Sequence, residues 1–231
     1  MELCIALDLP NIEQNLQLLE SIKEYNNIWI KVGFRSYIRD GKEFLSQIKE
    51  INPTFKIFLD LKLYDIPNTM ADASEEIANL GVDMFNVHAS SGKVAMQTVM
   101  ERLSKLEKRP IVLAVTALTS FSNEGFRDVY NQDLAPTATK FAKDANEAGI
   151  DGVVCSAFES LDIKNSTSKE FLTLTPGIRP FGEDANDQQR VATIELAKKN
   201  LVDFIVVGRP IYKSENPSSK VKQILEELEV L

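Results

Sequence analysis

Short apolar runs alternate with amphipathic stretches along the whole chain. Runs beginning near Leu3, Ile28, Phe55, Met84, Ile111, Gly152, Phe171 and Phe204 have the length and composition of buried strands. The stretches between them carry helical signals. Asn11 is placed to cap the first helix, with Gln14 positioned to complete a capping box and Ile12, Leu16 and Leu19 forming an apolar stripe. Asn216 followed by Pro217 opens the last helix in the preferred order of cap and N1 proline, and Val221, Ile224, Leu225 and Leu228 give it an apolar face. Eight evenly placed strand–helix units predict an α/β fold, a closed parallel (β/α)8 TIM barrel with helices outside. The rival, an open doubly wound sheet, usually has fewer strands and a glycine-rich first turn. Here that turn is Asp8-Leu9-Pro10-Asn11. No linker interrupts the pattern, so residues 1–231 are expected to form a single domain.

In such a barrel the active site lies at the carboxyl ends of the strands. Asp8, Lys31-Val32-Gly33, Asp60 with Lys62, Asn86-Val87-His88, Thr116 to Ser120, Thr175-Pro176-Gly177-Ile178-Arg179 and Gly208-Arg209-Pro210 fall there. Polar groups at nearly every strand end, above strands that are otherwise apolar, are hard to explain by packing. The densest is Asp60-Leu61-Lys62-Leu63-Tyr64-Asp65. Strand alternation points Asp60 and Lys62 the same way, and Asp65 follows in the loop before Pro67. Two acids around one lysine make an electrostatic site, with a plain salt bridge as the bland alternative. The ends of strands seven and eight suit phosphate. Gly208 allows close backbone approach, and Arg179 and Arg209 offer fork-shaped donors. Two surface arginines beside turn glycines is the competing reading.

Charge narrows the function further. A net charge of −8 argues against a general nucleic-acid or anionic-membrane surface. No leader opens the chain, and no apolar run is long enough to span a bilayer. Cys4 and Cys155 lie far apart in apolar runs and read as buried free thiols, which fits a reducing cytoplasm. His88, the only histidine, reads as a hydrogen-bonded structural residue, and no zinc constellation is present. Asp8, Asp60 and Asp65 could hold magnesium, but Lys31 and Lys62 would already neutralise that charge, so no metal is expected.

The chain resembles the orotidine 5′-phosphate decarboxylases of the bacterial type. The resemblance rests on Leu7-Asp8, Lys31-Val32-Gly33, Asp60-Leu61-Lys62 with Asp65-Ile66-Pro67-Asn68-Thr69, Val87-His88-Ala89, Leu118-Thr119-Ser120, Thr175-Pro176-Gly177-Ile178-Arg179 and Val207-Gly208-Arg209, in order over almost the whole chain. It implies cofactor-independent decarboxylation of orotidine 5′-phosphate to uridine 5′-phosphate. Lys31, Asp60, Lys62 and Asp65 would form an alternating charge network with Lys62 as proton donor. It also implies a homodimer in which Asp65 serves the neighbour's site, and substrate contacts from Ile66 and Thr69. Asp8 and Lys31 would hold ribose hydroxyls, Thr119 the pyrimidine, and Arg179, Gln188, Gly208 and Arg209 the phosphate. Some relatives carry a glutamine just after Ile178-Arg179-Pro180, where this chain has Phe181; Gln188 is taken for that role, with Gln189 left open. Two rivals remain. A magnesium-dependent sugar-phosphate lyase or synthase would carry an acid where this chain has Lys31, and a non-catalytic sensor of a phosphorylated metabolite has no need for Lys62 between two acids.

Overall fold

A computed structural model describes residues 1–183 and 190–229. Its strands are β1 (Glu2–Ala6), β2 (Trp29–Gly33), β3 (Lys56–Leu63), β4 (Met84–His88), β5 (Ile111–Val115), β6 (Gly152–Val154), β7 (Leu172–Thr175) and β8 (Phe204–Val207). Each begins within one residue of its expected start. All neighbours pair in parallel, and β8 returns to β1 through Glu2–Phe204, Leu3–Ile205, Cys4–Val206 and Ile5–Val207. The sheet is therefore closed, and the open-sheet rival is excluded.

The helices are α1 (Ile12–Ser21), α2 (Phe34–Ile51, kinked at Gly41), α3 (Pro67–Asn79), α4 (Lys93–Leu103), α5 (Asn123–Tyr130), α6 (Leu134–Glu147), α7 (Ala157–Ser166), α8 (Ile194–Lys199), α9 (Arg209–Tyr212) and α10 (Pro217–Glu229). Asn11 caps α1 by accepting from the Gln14 N–H at 2.9 Å. Only this half of the expected capping box forms. The complete box is at α7, where Ser156 and Glu159 exchange both bonds. The buried face of α1 also differs from the expected stripe. Asn15, Leu18 and Leu19 are its buried residues, with Ile12 and Leu16 packed at the edge. Asn216 caps α10 through the Ser219 N–H at 3.0 Å, and Val221 and Ile224 are buried beneath it.

Side chains alternate along each strand between two apolar regions. Leu3, Ile5 and Leu7 point outward to the helices, and Cys4 and Ala6 point into the barrel. The entrances to the even strands share a second regularity. Asn27, Gly81, Gly149 and Leu201 all take left-handed φ values, of 60°, 74°, 82° and 56°. Each is exposed, and each is followed by a buried Ile28, Val82, Ile150 or Val202.

Candidate active site

Inward side chains stack in layers up the barrel. The floor is apolar, built from Cys4, Trp29, Phe58, Met84 and Phe204, with Trp29 edge-on to Phe204 at 5.4 Å. One inward step higher, strands β2 to β4 turn polar at Lys31, Asp60 and Asn86, while β1 carries Ala6 there and reaches Asp8 a further step on. Strands β5 to β8 stay apolar at Val115, Val154, Leu174 and Val206. The cavity of about 300 Å³ at the carboxyl ends thus has a charged half and an apolar half.

The charged half is tightly connected. Lys31 Nζ lies 3.5 Å from Asp8 Oδ1 and 3.3 Å from Asp60 Oδ2. Lys62 Nζ lies 2.6 Å from Asp60 Oδ1, which also accepts from Asn86 Nδ2 at 2.8 Å. Burial alone would push the Asp60 carboxyl up. The Lys31 and Lys62 ammonium groups outweigh it and hold Asp60 at about 2. Burial likewise pulls Lys31 down, but Asp60 and Asp8 prevail and raise it to about 12. Asp60 and Lys31 are thereby held in their charged forms by their neighbours over the physiological range.

Lys62 reaches Asp60 by a route that strand alternation does not describe. β3 and β4 pair at Leu59–Phe85 and again at Leu63–Val87, so β3 carries two extra residues in between. Within this bulge Lys62 takes a left-handed φ of 47°. A left-handed lysine is strained by roughly 1–2 kcal/mol. The Asn86 side chain answers the displaced backbone: its Oδ1 accepts from the Lys62 N–H at 2.7 Å.

The opposite end of the cavity carries Gly208, Arg179 and Arg209. Arg179 is buried, and its backbone N–H donates to Ala192 O at 2.9 Å across an isolated bridge. A Cβ on Gly208 would meet Ala6 Cβ at 3.3 Å and Tyr212 Cε1 at 3.4 Å, so the close packing there favours glycine. Thr119 is buried at the β5 side of the cavity. Its loop is anchored by the extra helix α5, whose Phe126 stacks on Tyr130 at 4.4 Å and packs with Phe121.

Not every expected residue joins this assembly. Asp65, Ile66 and Thr69 are exposed and lie outside the lining of the cavity. Asp65 Oδ1 accepts from the Ile66 N–H at 2.7 Å. Gln188 and Gln189 fall outside the described residues. His88 Nδ1 accepts from the Ser90 N–H at 3.3 Å and so caps the 3-10 turn Ala89–Ser91. Burial, and then the Lys62 charge, hold His88 below the ordinary histidine range, so it is neutral at pH 7. One residue near the site was not named from sequence, and another was named there only as a strand-end polar group. Tyr212 lines the cavity. Asn86 had a visible signal, a lone amide inside the apolar run Met84-Phe85-Asn86-Val87. Among the described residues no three His, Cys, Asp or Glu side chains group as a metal site would, and no helix is long and apolar enough to cross a membrane.

Fold and site together define a (β/α)8 barrel enzyme with its charged cavity at the carboxyl ends of the strands. Residues 1–224 match the family described as orotidine 5′-phosphate decarboxylase / HUMPS, and the chain belongs to that family. It is 68% identical over 226 residues to the orotidine 5′-phosphate decarboxylase of a Sulfurovum species, covering 98% of each chain. It is 67% identical over 228 residues to that of a Nitratiruptor species, covering 99% of this chain and 100% of the other. The crystal structure of orotidine 5′-phosphate decarboxylase from Lactobacillus acidophilus superposes with a TM-score of 0.86 at 32% identity, covering 99% of both chains. The family description joins two names, and these relatives bear the first.

Proposed function

We propose that this protein converts orotidine 5′-phosphate to uridine 5′-phosphate and carbon dioxide, the last step of de novo UMP biosynthesis, without metal or organic cofactor. The observation that carries this reading is Asp60 clamped between Lys31 and Lys62 on the charged side of a chamber whose facing wall is apolar. The C6–carboxylate bond breaks, carbon dioxide leaves, and the electron pair stays on C6 of the pyrimidine, where no resonance sink receives it. A fixed ammonium beside that carbon stabilises the charge and then delivers the proton to C6. Lys62 takes this role, and solvent reprotonates it. Asp60 holds Lys62 in place and faces the substrate carboxylate. Asp8 and Lys31 bind ribose hydroxyls, Thr119 the pyrimidine, and Arg179, Gly208 and Arg209 the phosphate, with Gln188 assigned to the same group. Phosphate contacts remote from C6 supply binding energy that supports the transition state.

The magnesium-dependent rival is disfavoured by Lys31, whose ammonium stands between Asp8 and Asp60. Turnover of orotidine 5′-phosphate in excess chelator tests the reading. Full activity is expected, and activity that vanishes with chelator and returns with magnesium overturns it.

The working unit is a homodimer of single-domain chains, residues 1–231, in the cytoplasm, where Cys4 and Cys155 remain free thiols. Asp65 of each chain completes the other's charge network. Its exposure supports this, as do the exposed apolar side chains Phe34, Ile38, Tyr64, Ile66 and Val94 on three successive barrel units. Mixing Lys62→Ala with Asp65→Ala under subunit exchange should create one intact site per heterodimer. Activity should recover to roughly a quarter of native by random pairing about a two-fold axis. No recovery despite demonstrated exchange would place Asp65 in its own chain's site.

A further inference from the structure

Asn86 is an amide on an inward-facing position of a strand whose neighbours Phe85 and Val87 are fully buried, and only 1% of its surface is exposed. Its β5 partner in the ladder is Leu113, an apolar residue of the barrel floor. A buried primary amide costs free energy unless its donors and acceptor are matched. Both arms of Asn86 are committed, and both go to β3. Oδ1 accepts from the Lys62 backbone N–H at 2.7 Å, and Nδ2 donates to Asp60 Oδ1 at 2.8 Å. The first bond lies within the bulge where the β3–β4 register shifts. It gives the Lys62 N–H an acceptor at a point where the regular ladder offers none. The second bond lands on the same carboxylate oxygen that receives Lys62 Nζ at 2.6 Å. A side chain that only plugged the bulge would need an acceptor; the donor arm serves Asp60.

Asn86 does not line the cavity. It has no surface to offer a ligand, yet it fixes the backbone of one charged residue and the carboxylate of the other. We propose that Asn86 is a positioning residue: it locks the left-handed backbone of Lys62 and turns Asp60 Oδ1 toward Lys62 Nζ, so that the ammonium stands at one place in the chamber before substrate arrives. This rests on the decarboxylase reading given above. Preorganisation of this kind acts on the chemical step, because a wandering ammonium loses alignment with the reacting carbon but leaves ribose and phosphate contacts untouched.

The test uses full-length Asn86→Leu, which keeps the approximate shape and removes both arms, and Asn86→Ser, which is smaller and polar. Measured are kcat on orotidine 5′-phosphate, the dissociation constant of uridine 5′-phosphate and the thermal midpoint. The expectation is a kcat lowered by about a hundredfold in folded protein. Uridine 5′-phosphate should bind within about threefold of native, since its contacts are unchanged. A kcat within about threefold of native in either folded variant sinks the proposal. So does a parallel loss of kcat and product affinity, which marks a distorted cavity. If neither variant folds, Asn86 is a structural plug and the proposal falls. A native protein that fails to decarboxylate orotidine 5′-phosphate overturns the decarboxylase reading itself, an outcome visible before any variant is made.

Discussion

The barrel carries carboxylate–cation pairs at both ends, and they are built differently. At the amino-terminal rim, Asp83, Asp151 and Asp203 stand immediately before β4, β6 and β8. Each accepts from a backbone N–H of the preceding strand: Ile57 at 2.8 Å, Val112 at 2.8 Å and Thr173 at 2.7 Å. Each also has a cation, Lys49 at 3.1 Å, Arg109 through two bonds at 2.6 and 2.8 Å, and Lys164 at 2.8 Å. At the mouth, Asp60 is held through side chains alone, by Lys31, Lys62 and Asn86. Rim charges are consumed by the backbone and so report on folding. Mouth charges are held by one another, around an open chamber, and so remain available to a ligand.

If that contrast is right, substitutions at the two ends separate activity from stability. The largest effect belongs to Lys62→Ala. Turnover should fall by more than about a thousandfold, beyond the loss from one ordinary oxyanion donor. Product binding should change far less, and steady-state kinetics with calorimetric titration of uridine 5′-phosphate measure both. Near-native turnover would remove the distinction between mouth and rim. Arg209→Ala comes next. Loss of a charge-assisted bond of roughly 1.5–3 kcal/mol should raise KM for orotidine 5′-phosphate by about ten- to a hundredfold. The same substitution should leave use of the nucleoside without phosphate unchanged, and equal effects on both would contradict the phosphate assignment.

Lys164→Met probes the rim. Only 4% of the Lys164 side chain is exposed, and it donates to Lys169 O and Phe171 O as well as to Asp203. Asp203 keeps its backbone donor and partial solvent access, so the loss is set below that of a fully buried pair, at about 2 kcal/mol. Urea unfolding should show it while kcat stays within about twofold of native. A fall in kcat without loss of stability would blur the comparison.

The pH response should be flat between the two ends of the network. Asp60 is depressed to about 2, so its contribution is present above the ordinary carboxylate value and lost as pH falls through about 2. Lys31 is raised to about 12, so its contribution is complete below the ordinary lysine value and lost as pH rises through about 12. Between about pH 4 and about pH 10 neither group should produce a step in stability. Unfolding titrations across that range check it, and a step assigned to Asp60 by loss in Asp60→Asn would contradict it. The smallest effect is expected at Leu201→Gly. Leu201 holds by strain the left-handed corner that Gly81 and Gly149 hold freely. Relief of about 1–2 kcal/mol less the entropy cost of glycine should stabilise the protein by about 0.5 kcal/mol, read from the thermal midpoint.

Much of this was legible beforehand, because barrel strands and their ends follow local rules. Asp8, Lys31, Asp60, Thr119, Arg179, Gly208 and Arg209 converge because each continues the inward series of its strand or lies in the loop just after it. Lys62 joins them for a reason that alternation does not contain, since a register shift against β4 turns its backbone left-handed. Periodicity cannot announce such a shift, because it depends on pairing between strands. Asn86 was visible as a lone amide in an apolar run, but its role was hidden for the same reason, since it depends on what stands opposite. Asp65 was marked by its spacing after Lys62, its place in a partner's site by resemblance alone, and one chain leaves it exposed.

The four left-handed corners at Asn27, Gly81, Gly149 and Leu201 have a further consequence for how this chain can be rearranged. Each lies on the surface at a point where one strand–helix pair has closed and the next is about to begin. New termini opened just before any of them would leave every two-strand block whole and the mouth of the barrel uncut. Circular permutants joined through the native ends should therefore tolerate these breaks better than breaks at the odd strands. The barrel is, in this sense, a ring of four segments with the seams marked in its backbone.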